Sequence, residues 1–145
     1  MTKQSKYSLQ DIVVFLADTI GCAEGELKEN SDLLNDLGCC GDDFHELIDK
    51  FGEKFNVQMD SYLWYFHNED EGSLAGWNSM LFKAPYEMVD YIPVTPMVLL
   101  DSANQGKWTI TYPEHHLPKR RYDVLTDQIL LVLIFVFVLL YKCAL

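Results

Sequence analysis

Positive charge is scarce in this chain: 11 Lys and Arg stand against 22 Asp and Glu, for a formal net charge of -11 at pH 7. Phosphate backbones are bound by clustered Lys and Arg, so this balance argues against nonspecific nucleic-acid binding and favours basic partners or basic surfaces. Gly-rich phosphate loops, nucleophile elbows and zinc-ligand pairs are also missing. Nothing therefore points to an enzyme, and neither a cofactor nor a metal is expected. The cysteines, Cys22, Cys39, Cys40 and Cys143, lack metal-ligand spacing, and adjacent Cys39 and Cys40 are poorly placed to bridge each other. The opening residues MTKQSKYSLQ contain no apolar run of the signal-peptide kind, so reduced thiols in a cytosolic compartment are expected. There is no internal repeat and no low-complexity tract.

What the 145 residues do hold is one domain's worth of chain with a short appendage. Its best-marked stretch is DLGCCGDDFHELIDKFGEKF, from Asp36 to Phe55. Read as a helix from about Asp42, it gathers Phe44, Leu47, Ile48, Phe51 and Phe55 into one apolar stripe, because they recur at offsets of three and four. Asp42, Glu46, Asp49 and Glu53 recur at the same offsets on the other side as an acidic stripe. Asp42 and Asp43 suit the positive end of the helix dipole, and Gly38 and Gly41 loosen the loop before it.

Asp36-Leu37-Gly38, followed by Glu46-Leu47 and Phe55, resembles the centre of acyl carrier proteins. In that family the loop is followed by Asp-Ser-Leu, whose serine opens the second helix and bears the phosphopantetheine arm. Aligned through Glu46 and Phe55, those three residues fall on Cys40, Gly41 and Asp42, so Gly41 replaces the attachment serine and no arm can be esterified there. The likeness is greater to an uncharacterised bacterial acyl-carrier-like family, domain-of-unknown-function family 1493, which has a Gly-Asp-Asp type sequence at this place. Taken over residues 8 to 112, the resemblance implies a mainly α, acyl-carrier-like helical bundle. It also implies that the acids of the second helix face basic patches on partners, with Glu46 at the family's matching Glu position.

Elsewhere Ser8 caps a helix carrying Ile12, Val13, Leu16, Ala17 and Ile20, which Gly21 stops. The following loop resembles the long first connection of acyl carrier proteins, which implies that Leu27, Leu33, Leu34 and Leu37 tuck back onto the bundle. Asp60 is expected to cap a short helix whose aromatics, Tyr62, Trp64, Tyr65 and Phe66, cover the core, and residues 67–76 read as a polar surface loop. The apolar segments 80–82 and 88–94 read as edge strands or irregular cover. Thr95, Pro96 and Gly106 frame a helix of about ten residues. Trp108, Ile110 and Tyr112 alternate with polar residues as in a half-buried strand.

From Ile129 to Leu140 every residue is Ile, Leu, Val or Phe, apolar on all sides. A run this short suits a buried helix, but Tyr141 and a snorkelling Lys142 prolong it, and a single membrane helix is the favoured expectation. Ile129, Leu133, Phe135, Phe137, Leu140 and Tyr141 are its lipid-facing candidates. Lys119, Arg120 and Arg121 precede the run and Lys142 alone follows, which places the N-terminal part in the cytoplasm, at a bacterial inner membrane. The last residues, KCAL, do not match a prenylation box, which needs cysteine one position earlier.

The expected organisation is an acyl-carrier-like domain over 1–76, a small α/β extension over 77–113, a basic linker over 114–123 and an anchor over 124–145. Glu114, His115 and His116 read as linker rather than as a metal or acid-base site, His45 as a surface histidine, and Asp101-Ser102 as helix interior. The functional expectation is a noncatalytic module that docks a basic partner through Asp42, Glu46, Asp49 and Glu53. The alternatives are an accessory or immunity subunit of a membrane protein complex, or a carrier modified at a site the motifs do not reveal.

Overall fold

In the computed structural model, which describes residues 5–69 and 83–144, the helical periodicities become four α-helices: α1 (Leu9–Ile20), α2 (Gly41–Phe55), α3 (Pro96–Gln105) and α4 (Tyr122–Ala144). The described residues are mainly helical and include no strand. They belong to two compact units, one made of Met1–Glu71 with Tyr91–Glu114 and the other of Gly72–Asp90 with His115–Leu145.

In the first unit the helix ends follow their caps. Ser8 and Asp11 form a reciprocal capping box at the start of α1, and the Thr95 hydroxyl accepts from the Val98 amide at the start of α3. Gly21 and Gly106 close the two helices in the left-handed conformation. α1 packs against both α2 and α3. The apolar stripe of α2 is buried throughout, and Phe51 and Phe55 meet Phe15 of α1 at ring-centroid distances of 6.2 and 5.4 Å. Burying each of these side chains contributes about 1.5–3 kcal/mol, more than any surface contact on the same helix.

The long loop between α1 and α2 is tied down by its backbone. The Leu33 amide donates to the Val94 carbonyl and the Met97 amide to the Glu29 carbonyl, both at 3.0 Å. Leu27 and Leu33 are buried and Leu34 and Leu37 half-buried, as expected for this loop. Asn104 adds a side-chain tie: its amide accepts from the Tyr7 N–H and donates to the Tyr7 carbonyl, at 2.9 and 3.1 Å.

Three local expectations need correction. The segment from Lys107 to Tyr112 keeps the alternation, with Trp108 buried and Ile110 and Tyr112 half-buried, but it is not a strand. Its pairing is one isolated parallel bridge between Gln58 and Lys107. The neighbouring chain turns away after Met59, and the Thr109 amide donates to the Ser102 hydroxyl instead of a ladder, so the expected α/β extension has no strand among the described residues. Asp60 caps no helix; a 3-10 turn, Trp64–Phe66, follows Leu63. Residues 67 and 68, assigned from their polarity to a surface loop, are fully buried. The rest of that loop through 76 and the segment 80–82 lie outside the described residues, whereas 88–94 begins at the end of a 3-10 turn, Pro85–Met88, and continues as irregular chain.

In the second unit, α4 presents its apolar run to the outside on every side. Exposure ranges from 42% at Leu130 to 69% at Phe137 between Ile129 and Tyr141, so no part of this run is core.

Candidate functional site

α2 divides its residues between core and solvent. Because successive helical residues rotate by about 100°, Asp42, Glu46, Asp49 and Glu53 fall within an arc of about 60°. All four are exposed, while Phe44, Leu47, Ile48, Phe51 and Phe55 fill the buried side. The structure thus brings the four predicted acids onto one face. Glu46 also has a partner the spacing alone did not emphasise: the Lys50 ammonium lies 2.6 Å from its carboxylate, with both side chains exposed. An exposed pair of this kind contributes only about 0.3–0.5 kcal/mol. A basic group from outside can therefore displace Lys50 at little loss.

The start of this face is held by a side chain far away in sequence. Asn68 accepts from the Gly41 N–H through Oδ1 and donates to the Gly41 carbonyl through Nδ2, both at 2.9 Å. Gly41 has φ +57°, a region that favours glycine. It is buried, has no hydroxyl, and its two backbone groups are occupied by Asn68, so the position does not fit a phosphopantetheine attachment point.

His67, beside Asn68, is fully buried in an aromatic box. Its ring stacks on Tyr62 at 5.6 Å and an interplanar angle of 9°, and meets Trp108 edge-on at 5.7 Å. The hydrogen bonds fix its tautomer. The Tyr112 hydroxyl accepts from the Trp108 indole at 2.7 Å and from the Leu63 amide at 3.1 Å, which uses both lone pairs. Its own proton therefore goes to His67 Nε2, 2.8 Å away, and His67 Nδ1–H donates to the Ile92 carbonyl at 2.6 Å. Burial pulls the His67 pKa down to about 4, with the Ile92 bond and the Asp32 charge offsetting part of the effect. A neutral imidazole with both nitrogens committed is a structural tie and not an acid-base group.

The remaining candidates divide plainly. His45 is half-buried and meets Trp64 edge-on at 5.7 Å. Ser102 is buried, 3.0 Å from the Thr109 hydroxyl. His115 and His116 lie in irregular chain before α4, and no group of three His, Cys, Asp or Glu side chains able to hold a metal occurs among the described residues. Cys22 and Cys39 are free thiols; burial, reinforced by the charges of Asp43 and Cys40, pushes Cys39 up to about 11, so it is unreactive at neutral pH. Tyr91 donates to the Asp32 carboxylate at 2.5 Å; burial first, and then that bond, push its pKa up.

The sequence reading missed His67, Asn68 and the Tyr112 hub. The available signal was weak: two polar residues directly after an aromatic run, whose partners stand 25 to 45 positions later or 27 earlier.

In α4, Ile129, Leu133, Phe135, Phe137, Leu140 and Tyr141 are all exposed. The span Val124–Lys142 is long and apolar enough to cross a membrane.

No curated protein and no solved structure matches the chain. The model of one family, described as a protein of unknown function (DUF1493), matches residues 10–111, which take in α2 and α3 and all of α1 but its first residue. Since that match covers well over half of its length, the chain belongs to the DUF1493 family.

Proposed function

We propose that this protein is a noncatalytic, acyl-carrier-like interaction module held at the cytoplasmic face of a membrane, and that it docks a basic partner through Asp42, Glu46, Asp49 and Glu53. The observation that carries the reading is the division of α2. Four exposed acids share one narrow face of a helix whose opposite side is fully packed and whose first residue is clasped by Asn68. A preorganised row of like charges favours a partner of opposite charge through encounter rate and orientation more than through buried area. Lys50 flanks the row in an exposed pair with Glu46.

The membrane part of the reading draws on α4, whose apolar run is exposed on all sides and needs a solvent other than water. Lys119, Arg120 and Arg121 before it and Lys142 near its end favour a cytoplasmic first unit. The acyl-carrier likeness rests on Asp36-Leu37-Gly38, Glu46-Leu47 and Phe55, and Gly41 removes the carrier's chemistry.

The test is charge reversal in the full chain. Glu46→Lys with Asp49→Lys abolishes recovery of a basic partner from detergent-solubilised membranes while leaving the helical circular dichroism intact. Equal recovery by the reversed and native chains contradicts the proposal.

A further inference from the structure

We propose that α4 is matched to a thin bilayer. The inference rests on the reading of α4 as a membrane helix and goes beyond it by naming the kind of lipid environment the helix takes.

Overall length does not limit α4. Its 23 residues reach about 35 Å, more than a hydrocarbon core of about 30 Å. Charge limits it. The stretch free of ionisable charge at neutral pH runs from Gln128 to Tyr141, bounded by Asp127 and Lys142 in the sequence, and it reaches only about 21 Å. The two ends are not equivalent. Lys142 has a four-carbon stem that lets its ammonium reach a headgroup layer from below, whereas an aspartate carboxylate on one methylene has little reach. Asp127 therefore sets the depth to which the helix can enter from its first turns.

Those first turns have interfacial composition. Asp123, Thr126, Asp127 and Gln128 interrupt Val124 and Leu125, and the Thr126 hydroxyl already donates to the Tyr122 carbonyl at 2.8 Å. Tyr122 and Tyr141, both exposed, stand near the two ends as interface-seeking aromatics do. Between Ile129 and Leu140 there is no Gly, Ala, Ser, Thr, Asn or Gln, the residues through which membrane helices pack closely or hydrogen-bond to one another. The walls of this helix are therefore suited to acyl chains and not to a neighbouring helix that would cover Asp127. Tilting shortens the reach of a helix along the bilayer normal, so it worsens the mismatch. What relieves the mismatch is a thinner hydrocarbon layer.

The experiment reconstitutes the full chain into phosphatidylcholine vesicles of 14-, 18- or 22-carbon monounsaturated chains and measures the fraction that floats with lipid after carbonate extraction. Retention is highest in the 14-carbon vesicles and at least about tenfold lower in the 22-carbon vesicles. Asp127→Leu lengthens the uncharged stretch to Val124–Tyr141, about 27 Å, and moves the optimum toward the longer lipids. Equal retention at all three lengths, or an Asp127→Leu profile identical to the native one, overturns the thin-bilayer inference while leaving the membrane reading in place. No retention in any vesicle overturns both.

Discussion

α2 and α4 are the two longest helices among the described residues, and they solve opposite problems. α2 has one apolar face and one acidic face, so the chain itself covers its apolar half and water covers the rest. The run of α4 from Ile129 to Tyr141 is apolar all round and exposed along its length. Helical order in α2 is maintained by tertiary packing, which is the usual source of helix stability in water. Order in α4 comes from an unbroken row of strongly apolar residues and calls for an apolar surrounding. The comparison separates the parts of the protein: one helix exposes a charged face, on which the proposed docking rests, and the other exposes an apolar run on every side.

The strongest way to sharpen this contrast is to remove one phenylalanine from each helix. Phe51→Ala, deep in the first unit, lowers unfolding free energy by about 3–5 kcal/mol, read from urea melts of the detergent-solubilised chain by tryptophan fluorescence. Phe137→Ala, on the exposed run, leaves that transition within about 0.5 kcal/mol. Equal losses from the two variants break the comparison.

A second contrast lies in pH. The folded-state pKa of His67 is about 4, below its ordinary 6.5, so the unfolded chain takes up the proton first as pH falls. The contribution is complete above pH 6.5, declines between 6.5 and about 4, and amounts to roughly 3 kcal/mol over that window. His67→Phe, which removes the titrating group, flattens this part of the stability profile relative to the native chain. Carboxylates titrate in both proteins, so the difference between the two profiles isolates His67.

Gly41 supplies a smaller effect. Gly41→Ser restores a hydroxyl at the start of α2 but forces a side chain into φ +57°, which lowers stability by about 1–2 kcal/mol in the same urea melts. Incubating the native chain with a phosphopantetheinyl transferase adds no mass in intact-protein mass spectrometry. A mass gain at any residue would restore the carrier alternative.

Local signals made much of this fold legible. Ser8 with Asp11, Thr95 with Pro96, and the glycines at 21 and 106 act within a few residues, so α1 and α3 can be placed from neighbouring letters. The two faces of α2 follow from spacing, and the apolar run of α4 from composition. What escaped was set by distance in the chain. Asn68 reads as a loop residue until Gly41, 27 positions away, is seen between its amide groups. His67 reads as surface until Ile92 and Tyr112 close around it. Trp108, Ile110 and Tyr112 carry a strand's alternation, but alternation reports only that one side is buried; a ladder also needs an extended neighbour, and here the neighbouring segment touches at Gln58 and then turns. The acids of the candidate surface were found because a helix face is a local property. The clasp that orients them was not.

The central claim, that the working surface is the acidic face of α2 and not the wall of α4, is tested most directly by site-specific photocrosslinking of the full chain in membranes. A photoreactive residue replaces Lys50, which flanks the acidic row, or Leu133, in the middle of the apolar run. The account predicts a discrete protein adduct from position 50 that weakens as salt rises, and only lipid adducts from position 133. A discrete protein adduct from position 133, with none from position 50, would contradict it.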